Sequence, residues 1–178
     1  MKLFKNAKHE YSPNERIAAL IVIAPLFLFG LPYMFITLGS WLDQWLHLPP
    51  ILGEPLNLVF GLLLIVLGLL FAWWAIYSQF TLGKGTPAPL MATQKLIVQP
   101  PFSYCRNPMA LGTIVAFLGV AALFHSIGAA LLVLLCAGAL LIYIKRHEEK
   151  EMELQFGQEY LAYKQRTPFL IPRFRKRP

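Results

Sequence analysis

Charged residues are scarce in this sequence, and four apolar stretches contain none of them. Asp, Glu, Lys and Arg together make up 14% of the 178 residues, whereas soluble domains average about 25%. Hydrophobic residues make up 57%, and the mean hydropathy is +0.55. This balance excludes an ordinary soluble domain. It predicts an integral membrane protein in which residues 1–178 form a single domain.

Cysteine is scarce as well, since only Cys105 and Cys136 are present. Neither has a partner at the spacing of a metal site, so no metal ligands are predicted. The net charge of +7 could suggest a nucleic-acid partner. However, the basic residues lie in short segments between apolar stretches rather than on one solvated face, so no nucleic-acid partner is expected.

The four charge-free stretches predict an all-α fold with about four transmembrane helices. Crossing a hydrocarbon core of about 30 Å takes roughly 20 helical residues. The third stretch is short, and only His125 and Ser126 separate it from the fourth. The last two helices are therefore predicted to form a tight helical hairpin, followed by a cytoplasmic helical segment. The predicted helices cover about 17–38, 56–77, 108–124 and 127–156.

The basic residues predict the orientation. All sixteen lysines and arginines lie before the first charge-free stretch, between the second and third, or after the fourth, which ends at Ile144. The predicted loop 39–55 has only Asp43 and Glu54 as charges, and it carries Trp41 and Trp45, which suit the membrane interface. Because positive charge collects on the cytoplasmic side, both termini are predicted to be cytoplasmic.

Prolines and glycines shape the predicted helices. Pro25 and Pro32 should bend the first helix, because each removes a backbone hydrogen-bond donor. Small residues recur in the other three predicted helices and would let helix backbones approach closely. No strict GxxxG pair is present, so the oligomeric state is not predicted. The glycines concerned are Gly61, Gly68, Gly112, Gly119, Gly128 and Gly138.

One polar block begins the predicted hairpin. Asn107 is a favourable N-cap, and Pro108 suits the first helical position, whose amide has no partner in any case. The helix amides and Arg106 together could bind a carboxylate or another anion. The alternative is that Arg106 only reaches to lipid headgroups.

A second polar block follows the fourth charge-free stretch, on the part of the helix that emerges from the membrane and should end at Gly157. Glu148 and Glu149 lie just beyond the membrane, and the hairpin would return them close to Arg106. The alternative is an ordinary solvated helix face, in which neighbouring basic residues pair with these acids.

Together the two blocks resemble the membrane methyltransferases of the isoprenylcysteine carboxyl methyltransferase family, whose relatives include phospholipid N-methyltransferases. The likeness covers roughly the second half of the chain. Asn107 stands where the best-characterised members have histidine, and Met109-Ala110 lacks the tyrosine common after the proline. The matching residues are Pro101-Phe102-Ser103-Tyr104-Cys105-Arg106-Asn107-Pro108, Gly112, Glu148-Glu149, Phe156-Gly157, Tyr160, Tyr163 and Ile171-Pro172.

The resemblance implies S-adenosylmethionine as the methyl donor, bound by cytoplasmic segments 83–109 and 145–172. It implies catalytic roles for Glu149 and for Arg166, the latter as a cation that orients the methyl acceptor. No Rossmann glycine motif is present. The residues implied for cofactor binding are Pro101, Phe102, Tyr104, Arg106, Asn107, Pro108, Gly112, Glu148, Glu149, Tyr160 and Tyr163.

The resemblance therefore implies an enzyme that methylates a lipophilic acceptor at the membrane, with membrane lipid around it. Isoprenylcysteine carboxyl O-methylation is the first expectation, and phospholipid N-methylation is the alternative. Two readings from other classes remain open, namely a nicotinamide-dependent intramembrane reductase and a non-catalytic membrane scaffold. The basic tail Arg173-Phe174-Arg175-Lys176-Arg177 is interpreted as an anchor to anionic headgroups.

Overall fold

The computed structural model describes residues 12–83 and 94–173, and this part of the chain is helical or irregular, without a strand. The all-α prediction is confirmed for these residues. The predicted roles of the basic residues before residue 12 and of the tail beyond Arg173 fall outside them.

The described residues contain seven α-helices and two π-helical turns, joined by irregular segments. The π turns are Leu26–Gly30 and Ile144–Glu148, and each joins two α-helices without a break. The α-helices are α1 Pro13–Pro25, α2 Leu31–Leu46, α3 Leu56–Thr81, α4 Pro108–Leu123, α5 Ile127–Tyr143, α6 Glu149–Phe156 and α7 Gln158–Arg166.

Three helical stretches are long and apolar enough to cross a membrane: Ile17–Leu46, Leu56–Thr81 and Ile127–Phe156. Pro108–Leu123 is a shorter apolar helix of 16 residues. In the most apolar part of each long stretch at most 28% of the residues are buried within the chain. Their apolar side chains therefore need lipid around them. An integral membrane protein is supported, whereas a fourth span and the hairpin stay predictions.

The first long stretch differs from its predicted bounds in a physically clear way. The expected loop from residue 39 is helical as far as Leu46, and the chain leaves the helix at His47, whose φ is 52°. Ser, Asp and Gln end an apolar stretch but do not break a helix. Pro49 and Pro50 then prevent continuation, because proline disfavours helical backbone at the residue before it.

A π turn lies between the two prolines of this stretch. Leu31 N–H donates to the carbonyl of Leu26, five residues back. Pro25 and Pro32 flank that turn and have no backbone N–H of their own. The regular α-helical pattern is therefore interrupted where the prolines predicted an irregularity.

The chain divides into two compact units. The first comprises Ala24–Leu70 and Gly112–Ile142 and is called the glycine-packed unit. The second comprises Met1–Ile23, Phe71–Leu111 and Tyr143–Pro178 and is called the clamp unit. The prediction of one domain over 1–178 stays a prediction.

Glycines bring helices together in the glycine-packed unit. A β carbon added at Gly68 would lie 2.5 Å from the backbone nitrogen of Ala116, and one added at Gly61 would lie 2.8 Å from that of Leu123. Neither position has room for a side chain, so α3 and α4 pack backbone against backbone. The prediction of close approach is confirmed here but not at Gly138, where nothing lies within 4 Å of an added β carbon.

A small polar network connects the helix ends of this unit. The side-chain amide of Asn57 donates to the carbonyl of Leu123 at 3.1 Å and lies 2.8 Å from Nε2 of His125. Asp43 Oδ1 accepts a hydrogen bond of 2.6 Å from the N–H of Gly128, in the first turn of α5. A carboxylate at a helix N-terminus satisfies an otherwise unpaired amide and complements the helix dipole.

Local capping is clear in the clamp unit. Ser12 and Glu15 form a reciprocal capping box, in which each backbone N–H donates to the other side chain. Later in the sequence of the same unit, α6 stops at Gly157, whose φ is 53°. Glycine has no β carbon to oppose that conformation. The predicted helix end is confirmed, and the reversal leads directly into α7.

Candidate functional site

A buried ion pair joins the two sequence blocks inside the clamp unit. Nε and Nη2 of Arg106 donate to the same oxygen of Glu149, Oε1, at 2.9 and 2.7 Å. The side chains are only 10% and 4% exposed. The predicted return of Glu149 to Arg106 is confirmed. This burial excludes the alternative that Arg106 only reaches to lipid headgroups.

Backbone carbonyls hold the other side of the guanidinium. Nη1 of Arg106 donates to the carbonyl of Lys164 at 3.0 Å and to that of Thr167 at 2.6 Å. Arginine carries five N–H groups, so four of them are used within the unit. The ring of Phe169 lies 5.6 Å from Cζ and adds a cation–π contact. The guanidinium is therefore fixed in one orientation before any ligand binds.

Lys164 bridges two carboxylates at the edge of this pair. Its Nζ lies 2.9 Å from Oε2 of Glu149 and 2.7 Å from Oε1 of Glu153. Glu149 and then Glu153 raise the pKa of Lys164, so the ammonium stays charged. Lys164 and Glu153 are each 34% exposed. We call the four residues Arg106, Glu149, Glu153 and Lys164 the charge clamp; their formal charges sum to zero.

The chain after α7 lies alongside the segment that enters α4. Arg106 N–H donates to the carbonyl of Pro168 at 2.9 Å, and Arg173 N–H donates to that of Tyr104 at 3.0 Å. The side-chain amide of Asn107 donates to the carbonyl of Phe169 at 2.9 Å. These bonds tie the entry of α4, which begins at Pro108 as predicted, to the C-terminal segment.

The two predicted tyrosines are buried together. Their rings lie 6.0 Å apart, and the hydroxyl of Tyr163 donates to the carbonyl of Phe102 at 2.7 Å. Burial, and next the charge of Glu149, raises the pKa of Tyr160 to about 12. Burial and the neighbouring Tyr160 raise the pKa of Tyr163 still further. Both phenols therefore stay protonated at ordinary pH and cannot serve as bases.

Glu148 has a different setting from Glu149. The π turn Ile144–Glu148 places one extra residue before α6, and Glu149 N–H donates to the carbonyl of Ile144. Adjacent helical residues point about 100° apart, so only one of the two acids faces Arg106. Glu148 is half-buried and makes no ion pair with any described residue. Its carboxylate is therefore available to a ligand.

The other predicted residues occupy varied positions. Pro101 and Pro108 are fully buried, and Tyr104 packs edge-on against Trp74 at 6.1 Å. Gly112 belongs to the glycine-packed unit, where its carbonyl faces Gly68. Arg166 is exposed at the last position of α7. Its side chain forms no ion pair or hydrogen bond with the charge clamp in the part of the chain that the structure describes.

Sequence reasoning missed three contributors to this site. Lys164 and the carbonyl of Thr167 contact the Arg106–Glu149 pair directly, and Glu153 contacts Lys164. Lys164 and Glu153 look like ordinary surface charges in the sequence, and carbonyl positions leave no trace in it. The one available signal is that Glu149, Glu153 and Lys164 belong to two short helices joined by a predicted glycine turn.

Comparison with known proteins identifies the class. Residues 56–159, more than half of the chain, match the family model described as phospholipid methyltransferase. No curated protein matches the chain. The chain belongs to the phospholipid methyltransferase family, one of the integral membrane methyltransferases related to the isoprenylcysteine carboxyl methyltransferases. Membership implies methyltransferase activity, for which S-adenosylmethionine is the usual methyl donor. The described residues contain no cluster of His, Cys, Asp or Glu that could hold a metal ion.

Proposed function

We propose that this protein transfers a methyl group from S-adenosylmethionine to a lipophilic acceptor at the membrane. The observation that carries the proposal is the buried Arg106–Glu149 pair, which joins the two blocks of the family pattern. Desolvating two charges is costly, and an apolar pair would often be at least as stable. Retaining the charges therefore fits a site that binds a charged ligand.

The residues at the clamp fit the polar parts of S-adenosylmethionine. Glu148 offers a carboxylate with no cation partner among the described residues, and Oε2 of Glu149 is contacted there only by the Lys164 ammonium, at 2.9 Å. Ammonium and hydroxyl groups would satisfy both. The amides at the start of α4 suit a carboxylate, and one N–H of Arg106 is left for it. Pro101, Phe102 and Tyr104 would flank the adenine.

Direct methyl transfer from donor to acceptor requires no covalent bond to the protein. When bound, S-adenosylmethionine supplies a methyl carbon attached to a sulfonium, and the leaving sulfur keeps the electron pair. A carboxylate acceptor needs no general base, which agrees with two phenols that stay protonated. The residues of the site would align the reactants and exclude water.

Two acceptor classes define the finer proposal. An isoprenylcysteine carboxylate is the first, because the block around Arg106 has that family's order of residues. The description of the matching family favours the second, a phospholipid amine. Purified protein in lipid nanodiscs would be given labelled S-adenosylmethionine with one acceptor at a time. Label in a base-labile ester supports the first class, and label in a lipid amine supports the second.

Arg166 is proposed to orient the acceptor as an exposed cation on the last turn of α7. Replacement by glutamine, Arg166→Gln, should raise KM for an anionic acceptor about tenfold and leave binding of S-adenosylmethionine unchanged. Loss of binding of S-adenosylmethionine, or an unchanged KM, would remove Arg166 from this role. We also propose that both termini are cytoplasmic, since that would place the basic segments and the site on the side where the methyl donor is made.

Binding of S-adenosylmethionine tests the whole proposal. Isothermal titration of the folded protein in detergent should give saturable binding, and Glu149→Gln should weaken it at least tenfold. Glu151→Gln is the matched control, because Glu151 lies on the same helix and pairs with no cation among the described residues. Absence of binding to folded wild-type protein would contradict the proposal. Equal affinity for the Glu149→Gln variant would favour a non-catalytic scaffold.

A further inference from the structure

The two oxygens of the Glu149 carboxylate have different partners. Oε1 accepts two hydrogen bonds from Arg106, whereas the only described group beside Oε2 is the Lys164 ammonium, at 2.9 Å. Lys164 Nζ also donates to Oε1 of Glu153 at 2.7 Å, so its ammonium is shared between two carboxylates. A buried acceptor without a hydrogen bond is unfavourable. Among the described residues, Oε2 therefore depends on the Lys164 ammonium alone.

Lys164 is much more exposed than the buried pair that it contacts. Its side chain is 34% exposed, against 10% for Arg106 and 4% for Glu149. Arg106 is fixed by carbonyls as well as by the carboxylate, and one of these is the backbone carbonyl of Lys164 itself. The Lys164 side chain, by contrast, is held by no described residue other than the two glutamates. Glu153 could keep the ammonium if it left Glu149.

We propose that the Lys164 ammonium is a resident counter-ion that holds the place of the α-ammonium of the methyl donor at Oε2 of Glu149. On binding, the ligand's ammonium replaces it there, and Lys164 shifts to Glu153 alone. Two cations would otherwise crowd one buried carboxylate oxygen, so the methyl donor and Lys164 compete. Lys164 is thereby a positioning residue that tunes affinity, and this inference rests on the proposed function.

Competition predicts that replacing Lys164 tightens the binding of S-adenosylmethionine, whereas a purely structural role predicts no such gain. Lys164→Met keeps the apolar stem and the backbone carbonyl but removes the competitor, so the affinity for S-adenosylmethionine should rise about two- to fivefold. That range is what a partly exposed ion pair is worth. Glu153→Gln removes the alternative partner, leaves Lys164 on Glu149 and should weaken binding by a similar factor. With Lys164 already absent, adding Glu153→Gln should change little.

The experiment is isothermal titration of these three variants and wild type in the same detergent, with thermal unfolding to confirm folding. The neutral probe 5′-methylthioadenosine, which has no ammonium or carboxylate, should bind Lys164→Met and wild type equally. If Lys164→Met does not fold, the weaker binding of folded Glu153→Gln still tests the inference.

Several results would overturn it. One is weaker or unchanged binding by folded Lys164→Met. Unchanged or tighter binding by Glu153→Gln is another. A third is a gain in the affinity of Lys164→Met for methylthioadenosine equal to its gain for S-adenosylmethionine, because Lys164 would then not compete with the ammonium. Wild-type protein that binds no S-adenosylmethionine overturns the proposed function and this inference together. Wild-type binding without the predicted opposite effects overturns this inference alone.

Discussion

The two units of this protein achieve internal packing by opposite means. In the glycine-packed unit, side chains are removed at Gly61 and Gly68 so that helix backbones touch. In the clamp unit, charged side chains are buried and matched, with Glu149 only 4% exposed. One arrangement should therefore be sensitive to added volume and the other to altered charge. Ordinary substitutions can separate the two sensitivities.

The largest effect is expected from breaking the buried ion pair. Glu149→Gln keeps the shape of the side chain but leaves the Arg106 charge buried without a carboxylate, which typically costs about 3–5 kcal/mol. Chemical unfolding of the purified protein in detergent would measure it. Glu153→Gln is the control, because its ion pair with Lys164 is partly exposed and should contribute less than about 1 kcal/mol. Equal losses in the two variants would show that the pair is not structurally important.

The next effect belongs to the glycine-packed unit. Gly68→Ala places a β carbon 2.5 Å from the Ala116 nitrogen, and such overpacking costs about 1–3 kcal/mol. Gly138→Ala makes the same chemical change where nothing lies within 4 Å, and it should stabilise α5 by up to about 1 kcal/mol through helix propensity. The same unfolding measurement applies. Two variants that change stability in the same direction would contradict close packing at Gly68.

Much of the site follows from local sequence rules. Pro108 marks the start of α4, and Gly157 marks the end of α6, because both positions have strong backbone preferences. The meeting of Arg106 and Glu149 was also predictable from the sequence, on the expectation that the two helices between them form a hairpin. The ion pair is confirmed, and the hairpin stays a prediction. These features depend on residues whose chemistry allows few alternatives.

Other features depend on geometry that has no sequence signature. The π turn Ile144–Glu148 decides which of two adjacent acids faces Arg106, and a regular helix over 127–156 could not reveal it. The carbonyl of Thr167 joins the site through the path of the chain after α7. Lys164 resembles any lysine on a polar helix. Tertiary packing, rather than residue type, selects these groups.

A smaller effect should come from the buried tyrosines of the clamp unit. Tyr163→Phe removes the hydroxyl that donates to the carbonyl of Phe102, and the loss should be about 1 kcal/mol. Tyr160→Phe is the matched control, because no described residue accepts a hydrogen bond from that hydroxyl. Its unfolding free energy should change less. A larger loss for Tyr160→Phe would contradict this account of the tyrosine pair.

The smallest signal is expected from the thiol of Cys105 in the wild-type protein. It is fully buried, and burial raises its pKa to about 11, although the backbone N–H of Asn107 lowers it in part. A raised pKa favours the protonated thiol, so at pH 8 roughly one molecule in a thousand carries the reactive thiolate. N-ethylmaleimide should therefore leave Cys105 unmodified in the folded protein.

Because it reacts so slowly in the folded protein, Cys105 can report whether a substitution in either unit opens the charge clamp. It lies next to Arg106, so opening the charge clamp with Glu149→Gln should expose the thiol and speed its labelling in a Cys136→Ser background. Gly68→Ala disturbs packing within the glycine-packed unit and should leave Cys105 protected while the protein is folded. Mass spectrometry of timed samples would measure both rates. Equal acceleration by the two substitutions would mean that the units do not respond independently, because damage to backbone packing would then reach the buried charges.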